Sequence, residues 1–86
     1  MAMKIENIGD KVRVPDVSKI GGYQGMTAQS LHLGMVRPDE LFSPKEEFIV
    51  IRFFHRHAYV CDHIVIRSAF YPDDLFIVLE DYIVCK

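Results

Sequence analysis

The sequence predicts a small all-β domain, built as an antiparallel barrel or sandwich of short strands. The second half of the chain holds three runs rich in β-branched and aromatic residues, at Phe48–Phe54, Ala58–Arg67 and Leu75–Leu79. Segments with turn chemistry, such as "RPDELFSPKEE" and "YPDD", separate these runs. No long segment repeats its apolar residues at the spacing of a helix, so strands joined by turns are favoured.

Length and composition indicate one globular domain. The 86 residues suffice for a single core, so residues 1–86 are assigned to one domain, and residues 1–8 are a candidate flexible N-terminus. The chain is 50% hydrophobic and 26% charged, which is typical of a folded chain. A formal net charge of −2 excludes a basic field over the whole protein, the usual sign of non-specific nucleic-acid binding.

Targeting and redox signals favour the cytoplasm. The opening "MAMKIENIGD" lacks the apolar core of a signal peptide, and no run approaches about 18 apolar residues. We therefore expect a cytoplasmic protein that does not bind a membrane. The two cysteines, Cys61 and Cys85, are expected to be reduced thiols and not a disulfide.

The chain is predicted to begin with a short strand and a glycine-rich turn. "KVRV" (Lys11–Val14) alternates polar and apolar residues like a half-buried strand, and Pro15 ends it because proline has no N–H. In "KIGGYQGM", Gly21, Gly22 and Gly25 permit positive φ angles or a close approach of neighbouring backbone. The segment lacks the Lys and Ser/Thr of a phosphate-binding loop, so it is interpreted as a tight turn.

The segment Thr27–Val36 is compatible with two structures. Its apolar residues recur at every second position in "LHLGM", which favours a strand. The alternative is a short helix, Thr27–Leu33, with Thr27 as its N-cap and Gly34 at its end. The "VRPDELFSPKEE" segment that follows is predicted to be a loop.

The two longest β runs are predicted to form a hairpin with Arg56 and His57 at its tip. The predicted register pairs Phe54 with Tyr59, Arg52 with Cys61, and Val50 with His63. Because strand side chains alternate between faces, each run then divides into two sets. The predicted core face holds Ile49, Ile51, Phe53, Val60, Ile64 and Ile66, with Asp62 as a polar exception. The predicted outer face holds Val50, Arg52, Phe54, Tyr59, Cys61 and His63.

The histidines and cysteine of "FFHRHAYVCDH" are not predicted to bind a metal. In this register His63 lies roughly 16 Å from the hairpin tip, whereas zinc ligands lie within about 2.3 Å of one ion. No metal or other cofactor is therefore expected. Cys61 and His63 share a strand face, but no orienting group or anion-stabilising pocket accompanies them, so nucleophilic catalysis is not expected.

Three motifs resemble those of SH3-like barrels. "DELFSPKEEFIVI" resembles the acidic diverging turn of SH3 domains, and "VLEDYIV" resembles the turn and tyrosine between their last two strands. "IGDKVRV" with the glycine-rich segment is similar to the opening of KOW and related barrels. The resemblance implies a five- to six-stranded antiparallel SH3-like barrel, with a long loop after the first strand and a 3-10 turn before the last.

The outer face and hairpin tip form the candidate binding surface. Its members combine cationic, aromatic and imidazole side chains: Arg52, Phe54, Arg56, His57, Tyr59, His63 and Arg67. Arginine and aromatic residues are enriched at the centres of protein interfaces, so we expect a non-enzymatic module or small accessory protein that binds another protein.

An RNA- or DNA-associated role is the alternative, because arginines and aromatic rings also contact phosphates and bases. It would use Arg13, Arg52, Arg56 and Arg67. A homo-oligomer is also compatible with the sequence, because the short apolar last strand would lie at an open sheet edge.

Overall fold

The computed structural model describes residues 8–54 and 63–85, which form a six-stranded antiparallel sheet with short helices. The strands are β1 (Lys11–Arg13), β2 (Gly21–Gln24), β3 (Glu47–Phe54), β4 (His63–Ser68), β5 (Leu75–Leu79) and β6 (Val84–Cys85). They lie in the order β2, β5, β4, β3, β1, β6. The connections contain α1 (Met26–His32), α2 (Pro38–Leu41) and the 3-10 helices Val17–Lys19 and Glu80–Tyr82.

The predicted β runs are strands wherever the structure describes them. In β1, Val12 is fully buried between the exposed Lys11 and Arg13, as strand alternation requires. β3 and β5 coincide with their predicted runs to within one residue, and a two-residue β6 closes the chain. β4 begins at His63, and residues 58–62 of its predicted run lie outside the described residues. β2 was not predicted as a strand; it pairs with β5.

The strand favoured for Thr27–Val36 is wrong, because Met26–His32 is a helix. Ala28 and Leu31, three positions apart, are buried in the core, which is the spacing of one helix face. The alternating Leu33 and Met35 that suggested a strand are exposed. The apolar residues at every second position are therefore Leu31, which is buried on the helix, and Leu33 and Met35, which face solvent.

The end of α1 follows the helix alternative. Gly34 has a φ of 77°, in the left-handed region that glycine adopts without strain. The N–H of Gly34 donates to the Leu31 carbonyl at 3.1 Å, and the N–H of Met35 donates to the Ser30 carbonyl at 2.9 Å. This pair of bonds is the Schellman motif. The predicted N-cap is wrong, because Gly25 occupies that position and Thr27 lies inside the helix.

The predicted loop after residue 36 contains α2 and anchors the core. Pro38 lies in the first turn, where its missing N–H is not needed, and the Glu40 carboxylate accepts the N–H of Arg37 at 2.7 Å. Phe42 follows the helix and is buried. Its ring centroid lies 4.8 Å from that of Phe76 and 5.4 Å from that of Phe48, both edge-on. Phe42 thus fixes the long connection onto the sheet.

The predicted register of the β3–β4 hairpin is wrong. Phe54 pairs with His63, Arg52 with Val65, and Val50 with Ile66. Arg52 is therefore opposite a residue four positions beyond the predicted partner, and Val50 is opposite one three positions beyond. The displacement changes from three positions to four at a β-bulge between Val50 and Arg52, which places one extra residue in β3.

The bulge decides which residues of β3 face the core. Beyond it, the even displacement leaves the predicted faces unchanged: Ile64 is fully buried and its partner Phe53 packs against the core, as predicted. Before it, the odd displacement inverts the faces. Phe48 and Val50 are fully buried, so the predicted placement of Val50 outside is wrong. Ile49, predicted to face the core, is only partly buried.

Closure of the sheet into a barrel is not observed in residues 8–54 and 63–85. β2 and β6 are the two ends of the strand order, each bonded to a single neighbour. β6 has only two residues, which offer few backbone groups beyond those bonded to β1. Among the helices in the same residues, none is long and apolar enough to span a membrane.

Candidate functional site

Three of the predicted binding residues lie on the outer face of the sheet. In β4 the fully buried Ile64, Ile66 and Ser68 alternate with His63, Val65 and Arg67, so the latter three lie on the face opposite the core, where Val65 is also fully buried. Arg52 pairs with Val65, which places it on the same face. The structure therefore brings these three predicted residues onto one surface, with Arg52 opposite the position between the other two.

Of the other predicted binding residues, Phe54 is described by its backbone. The backbone of Phe54 pairs with that of His63. Arg56, His57 and Tyr59 lie outside the described residues.

Arg52 meets a tyrosine that was not among the predicted binding residues. The Arg52 Nη2 group donates a hydrogen bond to the Tyr23 hydroxyl. The guanidinium carbon of Arg52 lies 5.6 Å from the centroid of the Tyr23 ring, within the range of a cation–π contact. Both side chains are exposed, and Tyr23 retains 37% of its accessible surface. A planar cation and an aromatic ring are thus held together at the surface.

Tyr23 also lines a cleft between β2 and α1. The cleft has a volume of about 240 Å³. Its lining comprises residues 22–25 on the strand side and Ala28, Gln29 and His32 on the helix side. The Arg52–Tyr23 pair therefore joins the outer sheet face to this cleft, and we call the combined surface the Arg52–Tyr23 corner.

Glycines make the close packing of β2 against α1 possible. A Cβ atom on Gly22 would lie 1.7 Å from the Ala28 carbonyl oxygen, so the helix backbone rests directly on this strand position. Gly25 has a φ of 112°, and a Cβ there would lie 2.0 Å from Asp74 Oδ1. The predicted close approach of backbone is confirmed at Gly22, and the predicted positive φ is confirmed at Gly25. The interpretation of "GGYQG" as a turn is wrong, because Gly21–Gln24 form strand β2.

The cleft is lined by hydrogen-bonding side chains. Its lining contains the carboxamides of Gln24 and Gln29, the imidazole of His32 and the Tyr23 ring. None of the lining residues in the described chain is Asp, Glu, Lys or Arg. Carboxamides donate and accept hydrogen bonds at once, as main-chain amides do, so the cleft suits a peptide segment better than an ion.

The sequence contained a signal for this cleft that motif analysis missed. Tyr23 is an aromatic residue within this glycine-rich segment. The longer stretch Gly21–Val36 also lacks any Asp, Glu, Lys or Arg. A solvent-facing helix is normally charged on its outer side, so a charge-free one indicates a surface for contact.

The corrected register removes the distance argument against a metal site. That argument placed His63 far from the hairpin tip, whereas His63 pairs with Phe54, which directly precedes His55 in the chain. In residues 8–54 and 63–85 there is no group of three or more metal-ligating side chains. His55, His57 and Cys61 lie outside these residues, so the absence of a metal and of a Cys61–His63 pair stay predictions.

Comparison of the chain with protein-family models, with curated proteins and with solved structures gave no significant match.

Proposed function

We propose that this protein is a non-enzymatic protein-binding module whose contact surface is the Arg52–Tyr23 corner. The observation that carries the proposal is the exposed guanidinium of Arg52 held against the Tyr23 ring at the mouth of a cleft. Arginine and tyrosine are two of the three residues most enriched among interface hot spots. Holding them together before binding also reduces the entropy lost when a partner orders them.

The cleft supports an extended peptide segment as the part of the partner that enters it. β2 is an end strand of the sheet, bonded to β5 on one side, and its residues 22–24 together with Gly25 form one wall of the cleft. Main-chain groups of an end strand and the carboxamides of Gln24 and Gln29 can pair with the amides of a peptide. The exposed Arg52 and Arg67 add a positive character to the adjoining face, which favours an acidic sequence beside the bound segment.

We further infer an SH3-like relationship for the fold. It is supported by the order of elements: a first strand, a long connection that contains β2, α1 and α2, the β3–β4–β5 meander, a 3-10 helix at Glu80–Tyr82, and a last strand paired with β1. The motifs that suggested this family lie in the corresponding places. "VLEDYIV" spans the end of β5, the 3-10 helix and the start of β6.

The test is an affinity capture with matched variants. The wild-type chain, the double variant Tyr23→Ala/Arg52→Ala and the control Arg37→Ala are immobilised, and retained proteins are quantified by mass spectrometry. Arg37 is an exposed arginine at the start of α2, so its removal controls for general loss of positive charge. Partners should bind wild type and the control alike and fall at least about tenfold with the double variant. Equal retention by all three chains, or retention of nothing by wild type, would contradict the proposal.

Nucleic-acid binding is a second candidate because of one row of side chains on the outer face. Lys11 pairs with Ile49, and Ile49 pairs with Arg67, so two exposed cations flank an aliphatic residue. Arg52 lies on the same face. Phosphate contacts by these groups would make the affinity fall with salt. Single-stranded RNA and DNA titrated at several salt concentrations decide the matter: a log–log slope near zero, or no binding at about 50 mM salt, excludes this role.

A further inference from the structure

Val65 is fully buried, although it lies on the face of the sheet opposite the core. Its neighbours Ile64 and Ile66 belong to the hydrophobic core cluster, and Val65 does not. On the outer face Val65 has two cross-strand partners, Arg52 in β3 and Ile77 in β5. Ile77 is half-buried and also lies outside the core cluster. We call Val65 and Ile77 the outer aliphatic pair.

The contact between Arg52 and Tyr23 crosses this part of the outer face. The sheet order places β5 and β4 between their strands, so their backbones are three strand spacings apart, or roughly 14 Å. Their hydrogen bond and cation–π contact require both side chains to extend toward each other over the intervening strands. Arg52 pairs with Val65. Ile77 pairs with Gly21, two positions before Tyr23. The contact therefore lies over the outer aliphatic pair.

The side chains that lie over this pair can rotate without disturbing the sheet. Arg52 is exposed, and Tyr23 retains 37% of its accessible surface. The hydrogen bond between them runs from a cation to a neutral hydroxyl group. An arginine and a carboxylate form two charge-assisted hydrogen bonds instead, which are stronger. A carboxylate that approaches Arg52 therefore competes with Tyr23 for the guanidinium group.

We propose that the Arg52–Tyr23 contact is a cover over the outer aliphatic pair, and that a bound acidic peptide segment opens it. A carboxylate of the segment binds the Arg52 guanidinium in place of Tyr23, and an apolar side chain of the same segment packs on Val65. Arg67, exposed two positions from Val65 on the same strand face, adds a second cation that favours an acidic occupant. Side chains two positions apart in an extended peptide share a face, so the acidic and apolar residues are expected at that spacing.

Thiol labelling tests the cover in the free protein. Val65→Cys is introduced into a Cys61→Ser/Cys85→Ser chain and alkylated with iodoacetamide, with and without Tyr23→Ala. Loss of the tyrosine should raise the labelling rate of Val65→Cys at least about tenfold, because the reagent then reaches the outer face directly. Ile64→Cys is the matched control, since Ile64 faces the core and is reached only when the core opens. The rate for Ile64→Cys should change by less than about fivefold.

A peptide array tests the occupant. Its members carry one Glu and one Leu at spacings of one to four positions in a Gly/Ser background, beside members with Glu or Leu alone. Wild type should retain members with a spacing of two at least about tenfold above the single-residue members. Val65→Thr keeps the shape of valine but adds a hydroxyl group, so it should lose the preference for Leu and keep that for Glu. Arg52→Ala should lose the preference for Glu. Circular dichroism checks that each variant folds.

This inference rests on the proposed peptide-binding role, and the outcomes distinguish the two. Equal labelling of Val65→Cys with and without Tyr23→Ala overturns the cover. An array that retains no peptide, in which Leu adds nothing to Glu, or in which Val65→Thr matches wild type, overturns the occupant. The proposed function survives each of these results if Tyr23→Ala/Arg52→Ala still loses partners in the affinity capture. A wild-type chain that retains no partner and no peptide overturns both.

Discussion

Asp74 caps helix α1, whose residue Thr27 lies 47 positions earlier in the chain. Its Oδ1 atom accepts the N–H of Thr27 at 3.0 Å and the N–H of Ala28 at 3.3 Å. The N-cap residue of α1 is Gly25, which has no side chain to satisfy these donors. The turn between β4 and β5 therefore supplies the cap, and it thereby ties α1 to the sheet.

Removal of this carboxylate should destabilise the protein. Asp74→Ala leaves two N–H donors without their acceptor, which costs about 1–2 kcal/mol of unfolding free energy. For a chain of this size the melting temperature should fall by roughly 4–8 °C per kcal/mol. Asp74→Asn keeps an acceptor oxygen and should cost less. The exposed neighbour Asp73 provides the control, and thermal unfolding of Asp73→Ala should match wild type. A melting curve of Asp74→Ala that coincides with wild type would show that the cap has no energetic role.

The two adjacent glycines of β2 should respond very differently to alanine. A Cβ on Gly22 would lie 1.7 Å from a backbone oxygen of α1, which must move away, so Gly22→Ala should cost about 2–3 kcal/mol or more. On Gly21 the nearest atom would be the Ile77 Cγ2 at 3.7 Å, an ordinary contact. Gly21→Ala should therefore be neutral or slightly stabilising. Urea denaturation of the two variants measures the difference, and equal midpoints would contradict the close packing of α1 on β2.

The β-bulge in β3 predicts opposite outcomes at two adjacent positions. Val50 is fully buried, so Val50→Lys places an unpaired charge in the core and should prevent folding. Ile49 is partly buried on the other face, where a lysine can extend its ammonium group into water, and Ile49→Lys should cost about 1 kcal/mol. Circular dichroism and thermal melting distinguish the variants. A folded Val50→Lys together with an unfolded Ile49→Lys would restore the register predicted from sequence.

The Arg52–Tyr23 contact should be measurable as a coupling energy. A double-mutant cycle with Arg52→Ala and Tyr23→Ala removes each side chain alone and then both. An exposed cation–π pair contributes about 0.5–1 kcal/mol, so the two single effects should not add by that amount. Chemical denaturation provides the four free energies. The pair Arg37→Ala and Tyr23→Ala is the control cycle and should be additive. If the losses of unfolding free energy from Arg52→Ala and Tyr23→Ala add fully in the double variant, the two side chains act independently in solution.

The β character of the chain was readable from residue type and pattern. β1, β3 and β5 coincide with runs whose side chains fit a half-buried or buried sheet, and the helix stop at Gly34 followed from the freedom of glycine to adopt a positive φ. These features depend on local sterics and on burial of one face, which neighbouring residues encode.

The strand assignment of α1 failed because the same apolar residues satisfy two periods over a short stretch. Leu31 and Leu33 are compatible with a strand, and Ala28 and Leu31 with a helix. The helix is capped by Asp74, which lies far along the sequence. A contact between positions so far apart is not visible in the pattern of neighbouring residues.

Part of the candidate site was predictable from the sequence and part of it was not. Residue chemistry was enough to place Arg52 and His63 on one outer face, since the register error beyond the bulge was an even number of residues. The contact of Arg52 with Tyr23 could not be predicted, because it joins strands that are not neighbours in the sheet and depends on how β2 pairs with β5.

By itself, the sequence determined that this protein is mostly β and that the segments of β1, β3 and β5 are strands, since those properties follow from the residues and their nearest neighbours. Only the tertiary structure decided the register of β3, the helical state of α1 and the meeting of Arg52 with Tyr23. Each of these involves contacts between distant segments, such as the extra residue at the bulge of β3 and the hydrogen bonds from α1 to Asp74, which local sequence pattern does not encode.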